Sequence, residues 1–264
     1  MSQMRSGFAS AFLSISGTCY VILGVDLMLL LTTWPVTVLL VTTDLSRSWL
    51  ALALVSPLLA PALTAASAVF RQFWLDGSSN VLSGFARAWW RARGSAWIGL
   101  AGAAVGCVLV VDAQFVSTSP WGALTLPPLV VATLLAGLVF PYALVASSEH
   151  PGLRLRPALR AGALVAIRRW PSSLVALAVM VCFVGLFAVR PALVALVLPA
   201  PVWYIVWAGA RRGLTSLRPD LPWLPPADPA QSTIGPAPAR TITVSRPSAR
   251  PAGAGLAPSA GSTR

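Results

Sequence analysis

Six long apolar stretches constrain the fold of this chain more than any other feature. A helix rises 1.5 Å per residue, so about 20 apolar residues cross the roughly 30 Å hydrocarbon layer of a membrane. The sequence therefore predicts an all-α protein, a polytopic transmembrane helical bundle of about six spans. The stretches lie at residues 20–42, 49–70, 95–116, 123–147, 172–189 and 191–209.

The composition also indicates a membrane protein. Of the 264 residues, 56% are hydrophobic and 10% are charged, whereas soluble domains carry roughly a quarter charged residues. The formal charge is +12, and all nineteen basic residues are arginine. In a soluble chain this excess would suggest a nucleic-acid partner, but membrane proteins concentrate arginine on their cytoplasmic side. We expect membrane lipids as partners, and no nucleic acid.

The positions of the arginines predict the orientation of the spans. Alternate connections are rich and poor in arginine, thirteen against two near the spans, as the positive-inside rule requires. The poor connections hold only Arg47 and Arg190. We therefore expect a multi-pass protein of the bacterial cell membrane with both termini in the cytoplasm. The arginine-rich segments contain Arg5, Arg71, Arg87, Arg91, Arg93, Arg154, Arg156, Arg160, Arg168, Arg169, Arg211, Arg212 and Arg218.

Two features leave the shape of individual spans open. Only Arg190 and Pro191 separate the fifth stretch from the sixth, which fits a tight helical hairpin or a kinked re-entrant segment, and we favour the hairpin. Prolines also interrupt the spans, which predicts kinks of the kind that transporters use but that a passive scaffold also tolerates. These are prolines 35, 57, 61, 127, 128, 141, 199 and 201.

The chain divides into two parts by composition. Residues 1–212 form the predicted transmembrane helical domain. Residues 213–264 are dominated by Pro, Ala, Ser, Thr and Arg, and such a segment buries too little apolar surface to offset its ordering entropy. We predict a disordered cytoplasmic tail there.

The first arginine-rich connection contains "SGFARAWWRARGSAW", residues 83–97. Read as a helix from about Ser79 to Arg93, this segment places Leu82, Phe85 and Trp89 on one side, with Arg87 and Arg91 on another. This pattern predicts a cytoplasmic amphipathic interfacial helix that leads into the third span. The side chains expected to contact lipid or a protein partner are Arg87, Trp89, Trp90, Arg91 and Arg93.

The second arginine-rich connection has a similar plan. It contains "LRLRPALRAGALVAIRRW", which predicts a second cytoplasmic amphipathic helix ending in the interfacial contacts Arg168, Arg169 and Trp170. Each connection thus follows a span that enters the cytoplasm and precedes one that leaves it. Internal duplication and chance similarity of membrane hairpins both explain this likeness.

Few side chains inside the spans carry chemistry. Asp26 lies about six residues into the first span, where a carboxylate costs a few kcal/mol unless it is paired, hydrated or protonated. It is a possible intramembrane polar site for ion, proton or substrate contact, although a helix–helix hydrogen bond is the simpler reading. Glu149 and His150 are adjacent beside a Pro-Gly turn and fit a helix cap better than a catalytic dyad.

Known catalytic and metal-binding motifs are not recognisable in the sequence. No P-loop, HExxH, nucleophile elbow or Rossmann glycine motif is present, and Cys19, Cys107 and Cys182 show no metal-ligand spacing. We expect no enzyme activity, no cofactor and no metal site. In the third span, Gly99, Gly102 and Gly106 provide the small residues that let helices approach closely, which predicts that this span packs inside the bundle.

Three segments resemble the YesL-like bacterial membrane proteins, a family whose domain has no known function. They are "DLMLLLTTWP" (26–35), "SPLLAPALTAASAVFR" (56–71) and "FARAWWRARGSAWIGLAG" (85–102). The resemblance covers roughly residues 8–212, although asparagine is expected in that family where Asp26 stands. It implies an integral membrane protein associated with carbohydrate uptake systems, without an established activity.

Two functional hypotheses remain after the sequence is read. The first is a transport-related protein, an accessory or permease-like component of carbohydrate uptake with protein partners in a sugar transport system. The second is a non-transporting scaffold or regulator that recruits protein partners or anionic lipid through its surface helices and basic tail. An enzyme is disfavoured because acids and histidines do not cluster along the chain.

Overall fold

The computed structural model describes residues 2–42, 45–76, 80–150 and 152–217. Within these residues the chain forms eleven α-helices and two 3-10 segments, Ser56–Leu58 and Ala92–Ser95, and no strand. The predicted all-α class is confirmed. The helices are α1 (Ser2–Thr32), α2 (Trp34–Thr42), α3 (Leu45–Val55), α4 (Leu59–Asp76), α5 (Val81–Arg91), α6 (Ala96–Thr118), α7 (Gly122–Glu149), α8 (Leu155–Arg168), α9 (Trp170–Val189), α10 (Pro191–Val197) and α11 (Pro199–Leu217).

By length and composition, the described residues supply four to six membrane spans, so the chain is a multi-pass membrane protein. Four helical runs qualify alone: Trp49–Leu75, Val81–Thr118, Gly122–Glu149 and Trp170–Val189. Two further spans are broken. The first combines α1 with α2 across a 76° bend, and the last combines α10 with α11 across a 54° bend.

The first break follows from the sequence "TTWP". Pro35 lacks the N–H that would continue the hydrogen-bond ladder. The hydroxyl groups of Thr32 and Thr33 donate to the carbonyls of Met28 and Leu29, at 2.8 and 2.7 Å. Such back-bonding by threonine bends helices, and here it coincides with the proline.

The other prolines differ in their effect. Pro57 lies in the 3-10 segment between α3 and α4, and Pro199 begins α11 after the second break. Pro127, Pro128 and Pro141 lie inside α7, which continues through all three. These three prolines therefore do not break α7 into separate helices.

The arrangement of the last two apolar stretches fits both the hairpin and the kinked re-entrant segment. The chain reverses at Arg190, and α10 and α11 both pack against α9. The broken shape also contains the alternative, because α10 is only a short segment before the bend at Leu198.

The core lies where α1, α4, α7 and α11 meet. Small side chains of α4 let the neighbouring helices approach, and Ala62, Ala65 and Ala66 are fully buried. In contrast, only 11% of the most apolar 18 residues of Val81–Thr118, the helical run that contains α6, are buried. The corresponding share in Trp49–Leu75, which contains α4, is 44%. The prediction that the third span packs inside the bundle is therefore wrong, because α6 uses only part of its surface for contacts.

The two predicted amphipathic helices each bury one face against the bundle. Helix α5 contacts α4 and α1, and it continues into α6 through the 3-10 segment. Its buried face holds Val81 and Phe85, whereas Leu82 is 59% exposed, so the predicted apolar face was wrong at Leu82. Helix α8 folds back along α7, with Ala158, Ala161 and Val165 buried.

The transmembrane domain extends past the predicted boundary. Helix α11 continues to Leu217, and Gly213, Leu214 and Leu217 are buried. The assignment of residues 213–217 to the tail is therefore wrong, since the apolar side chains there pack against the bundle. The remainder of the predicted tail, 218–264, lies outside the described residues.

Candidate functional site

Asp26 joins the two broken spans. It is 5% exposed, and its Oδ1 accepts a hydrogen bond from the backbone N–H of Ala200 at 3.0 Å. The bond therefore links α1, near its bend into α2, to the first turn of α11. The structure shows the helix–helix hydrogen bond that was the simpler reading of this residue.

The sequence of α11 explains why Asp26 is needed there. Pro199 and Pro201 have no N–H, and the N–H of Val202 already donates to the carbonyl of Leu198 at 3.1 Å. Ala200 thus carries the one donor in this turn that lacks a partner along its own helix, and an unpaired backbone donor inside a membrane costs several kcal/mol. The carboxylate satisfies it and lies at the positive end of the helix dipole.

A cleft of about 1080 Å³ opens beside this junction. Its walls come from both broken spans and from α3, α4, α6, α7 and α9, and Leu29 and Pro199 place it next to Asp26. Most of the lining is apolar. The polar or hydrogen-bonding side chains in it are Thr33, Thr37, Trp49, Ser56, Cys107, Gln114, Thr133 and Trp203.

The predicted packing glycines have different roles in α6. A Cβ at Gly99 would lie 2.7 Å from the Cβ of Ala60, and one at Gly102 would lie 3.3 Å from the ring of Phe140. Both glycines therefore permit close helix contacts. A Cβ at Gly106 would meet no atom within 4 Å, so the predicted contact there is wrong and Gly106 instead lines the cleft.

A second polar group lies at the C-terminal end of α7. We call it the Glu149 cluster, and it consists of Arg71, Glu149, Trp207 and Arg211. Arg71 Nη1 donates to the backbone carbonyl of Glu149 at 3.3 Å, and both arginines interact with its carboxylate by charge. Glu149 and Arg211 are only 8% and 9% exposed.

Aromatic rings support the Glu149 cluster. The guanidinium carbon of Arg211 lies 5.3 Å from the centre of the Trp207 ring, a cation–π distance. Phe70 and Tyr204 pack against the same ring, at 5.8 and 5.6 Å between centroids. One turn earlier in α11, Trp203 Nε1 donates to Ser67 Oγ and to the carbonyl of Leu63, each at 2.9 Å.

Three polar atoms of the Glu149 cluster are buried without a hydrogen bond. They are Glu149 Oε1, Trp207 Nε1 and Arg211 Nη1. One of these atoms is an acceptor and two are donors, so their hydrogen-bonding types are complementary. Sequence reasoning placed Glu149 at the end of its span but missed its partners, because they are brought to it by other helices.

The predicted interfacial residues lie mostly on the surface. Arg87, Arg91 and Arg93 are exposed, as are Arg168 and Arg169. Trp90 and Trp170 are 61% and 64% exposed, whereas Trp89 is half-buried against the core. The guanidinium carbon of Arg93 stacks 3.1 Å from the centre of the Trp90 ring.

No metal-binding group is found among the residues that the structure describes, where no three His, Cys, Asp or Glu side chains come together. The three cysteines are free thiols; Cys19 and Cys182 are exposed and Cys107 lines the cleft. Comparison with protein families, with curated proteins and with solved structures finds no match for this chain. Its resemblance to the YesL-like proteins therefore stays a prediction.

Proposed function

We propose that the protein is a transport-related membrane component whose cleft receives an apolar or amphiphilic molecule. The cleft carries this proposal. Ligand sites are typically concave, mostly apolar and a few hundred to about 1,000 Å³ in volume, with a small number of polar groups. A cleft of about 1080 Å³ with a few hydroxyl, amide and indole groups has these properties.

The broken spans support a permease-like role. Many transporters build their sites from discontinuous helices near the middle of the membrane. Here both broken spans contribute to the cleft, Thr33 and Val36 from the first and Ala195 and Pro199 from the last. The carboxylate of Asp26 already occupies the helix end that could otherwise attract an anionic ligand.

The lining disfavours a free sugar in the cleft. Each sugar hydroxyl would give up hydrogen bonds to water, and the apolar walls offer few replacements. The link to carbohydrate uptake that the YesL-like resemblance implies is therefore an accessory role. The arginine distribution further supports a bacterial cell membrane location with cytoplasmic termini.

Filling the cleft tests the proposal. Gly106→Leu adds a side chain where a Cβ meets no atom within 4 Å, so the helix tolerates it while the cleft shrinks. We expect it to reduce labelling of cleft residues by a photoactivatable fatty acid at least about five-fold, equivalent to losing roughly 1 kcal/mol of burial. Peptide mapping of protein in lipid nanodiscs measures the labelling.

Gly185→Leu is the matched control. It is also in open space, but Gly185 lies in α9 and does not line the cleft. Labelling should be unchanged in this variant, and equal labelling in both variants would overturn the proposal. In cells that lack the native protein, sugar uptake restored by Gly185→Leu but not by Gly106→Leu would connect the cleft to transport.

The exposed arginines favour a second candidate function, recruitment of anionic lipid by a membrane scaffold. Arg87, Arg91 and Arg93 are exposed on one connection, and Arg168 and Arg169 on the next. Each arginine near an anionic membrane surface contributes about 1 kcal/mol of attraction. This function uses the surface of α5 and α8 and does not require the cleft.

A further inference from the structure

The two short helices that follow the breaks stand together at the cleft. Helix α2 begins after the bend at Thr33, and α10 ends at the bend near Leu198. The two pack against each other and both line the cleft, with Thr37 on α2 and Ala195 on α10. They form one wall, which we call the α2–α10 wall.

The Asp26–Ala200 hydrogen bond lies close to both bends along the chain. Asp26 precedes Thr33 by about two helical turns, and Ala200 follows Leu198 directly beyond the second bend. A change in this bond therefore acts on the direction in which both α2 and α10 leave their spans.

We propose that Asp26 is a latch that holds the α2–α10 wall in place and so controls access to the cleft. In an unbroken helix, the N–H of Ala200 would donate to the carbonyl of Leu196, one turn earlier. By accepting this N–H itself, Asp26 removes the need for that bond and stabilises the 54° bend. Losing the carboxylate removes the tie between α1 and the first turn of α11, so α10, which precedes that turn, is no longer held against α2.

The latch depends on an acceptor oxygen, not on the negative charge. An asparagine at position 26 keeps an oxygen that accepts the Ala200 N–H, whereas a leucine of similar size does not. This inference rests on the cleft and its wall, and it is independent of which molecule the cleft binds.

Cys107 is a natural reporter for access, because it lines the cleft. Replacing Cys19 and Cys182 with serine leaves it as the single thiol of the chain. N-ethylmaleimide reacts with the thiolate, which forms where water reaches the sulfur. In nanodiscs, we expect Asp26→Leu to raise the labelling rate of Cys107 about five-fold, the effect of losing one net hydrogen bond.

Two further variants separate the latch from a general loss of packing. Asp26→Asn should label within about two-fold of the parent, because it keeps the acceptor. Ala200→Pro removes the donor and leaves Asp26 intact, so it should match Asp26→Leu. The latch is overturned if Asp26→Leu and Ala200→Pro leave the rate unchanged, or if Asp26→Asn raises it as much as Asp26→Leu. A protein whose single cysteine is Cys182, exposed on α9, should show the same rate in all variants.

Discussion

At the scale of single residues, ionisable side chains buried in this bundle interact with distant parts of the chain. Asp26 accepts from Ala200, 174 positions away, and the charges of Arg71 and Arg211 act on Glu149. Burial of a charge is costly, and removing one partner of a buried pair is more damaging than never having built it. These interactions link α1 to α11, and α7 to both α4 and α11.

Glu149 offers a direct measurement of this effect. We expect Glu149→Leu to lower the free energy of unfolding by about 1–3 kcal/mol, because it removes the negative charge that acts on the buried guanidinium of Arg211. Glu149→Gln keeps the size and a polar oxygen at this position and should be less damaging. Thermal stability in detergent, followed by fluorescence-detected size exclusion, measures both.

Asp112 provides the matched control for the Glu149 variants. It is exposed on α6, so Asp112→Leu and Asp112→Asn remove the same charge without leaving a buried cation. Equal losses of stability at the two positions would show that the Glu149 cluster adds nothing beyond the charge itself.

The sequence predicted where these residues lie but not what they contact. The depth of Asp26 follows from counting along an apolar stretch, and the position of Glu149 at the end of its span follows in the same way. The side chain of Ala200 does not identify it as the partner of Asp26, because the donor is its backbone N–H. Its neighbours Pro199 and Pro201 were the one available indication, since they leave a single free donor between them.

At the scale of elements, α8 shows how a helix that reads as interfacial can join the bundle. Its arginines and apolar residues alternate as on a membrane surface, yet Gly162 allows it to lie directly against α7. A Cβ at Gly162 would come 2.5 Å from the carbonyl oxygen of Val139 and 2.9 Å from the backbone nitrogen of Ala143. Both are backbone atoms, which have little freedom to move aside.

Replacing Gly162 with alanine should therefore separate α8 from α7. We expect a loss of roughly 1–3 kcal/mol from overpacking, despite the better helix propensity of alanine. Gly209→Ala in α11 makes the same chemical change where a Cβ meets no atom within 4 Å, and it should be neutral or stabilising by up to about 1 kcal/mol. If the two variants melt together in detergent, the close α7–α8 contact is wrong.

Element types were predictable from hydrophobicity, whereas breaks and faces were not. Long apolar runs predicted the membrane-spanning helices, because a helix forms hydrogen bonds for nearly all of its own backbone N–H and C=O groups inside a membrane. Proline alone did not locate the bends: α7 continues through three prolines, while the bend after Thr32 combines Pro35 with two back-bonding threonines. For α5, neighbouring α4 and α1 decide that Val81 is buried and Leu82 is not.

At the scale of the whole molecule, a dense bundle adjoins an open cleft. In the bundle, the side chains of Phe70, Tyr142 and Trp207 are almost fully buried. The cleft lies beside α6 and α9, whose surfaces make few contacts with the rest of the protein. Periodicity cannot predict this asymmetry, because α6, α7 and α9 are apolar on nearly all sides. What the sequence does predict for the whole molecule is orientation, through the arginines of its connections.

Reversing charge between the second and third spans tests that orientation. In a protein whose native cysteines are serine, Ser119→Cys places a thiol between α6 and α7, on the side expected to lie outside the cell. An impermeant maleimide should label it on intact cells. Adding Arg87→Glu and Arg91→Glu leaves two of the four arginines in the preceding connection, so labelling should fall severalfold as the third span loses its positive-inside signal.

The tail offers a control with the same change of charge. Arg246→Glu with Arg250→Glu also replaces two arginines, but far along the sequence from the last span, where charge contributes little to orientation. Labelling of Ser119→Cys should be unchanged in that variant. If both pairs label like the parent, Arg87 and Arg91 do not orient the third span. Their exposure next to Trp90 then supports the alternative role, which is contact with a protein partner. Affinity purification of the Arg87→Glu, Arg91→Glu variant would test this role, because the partner protein would no longer co-purify.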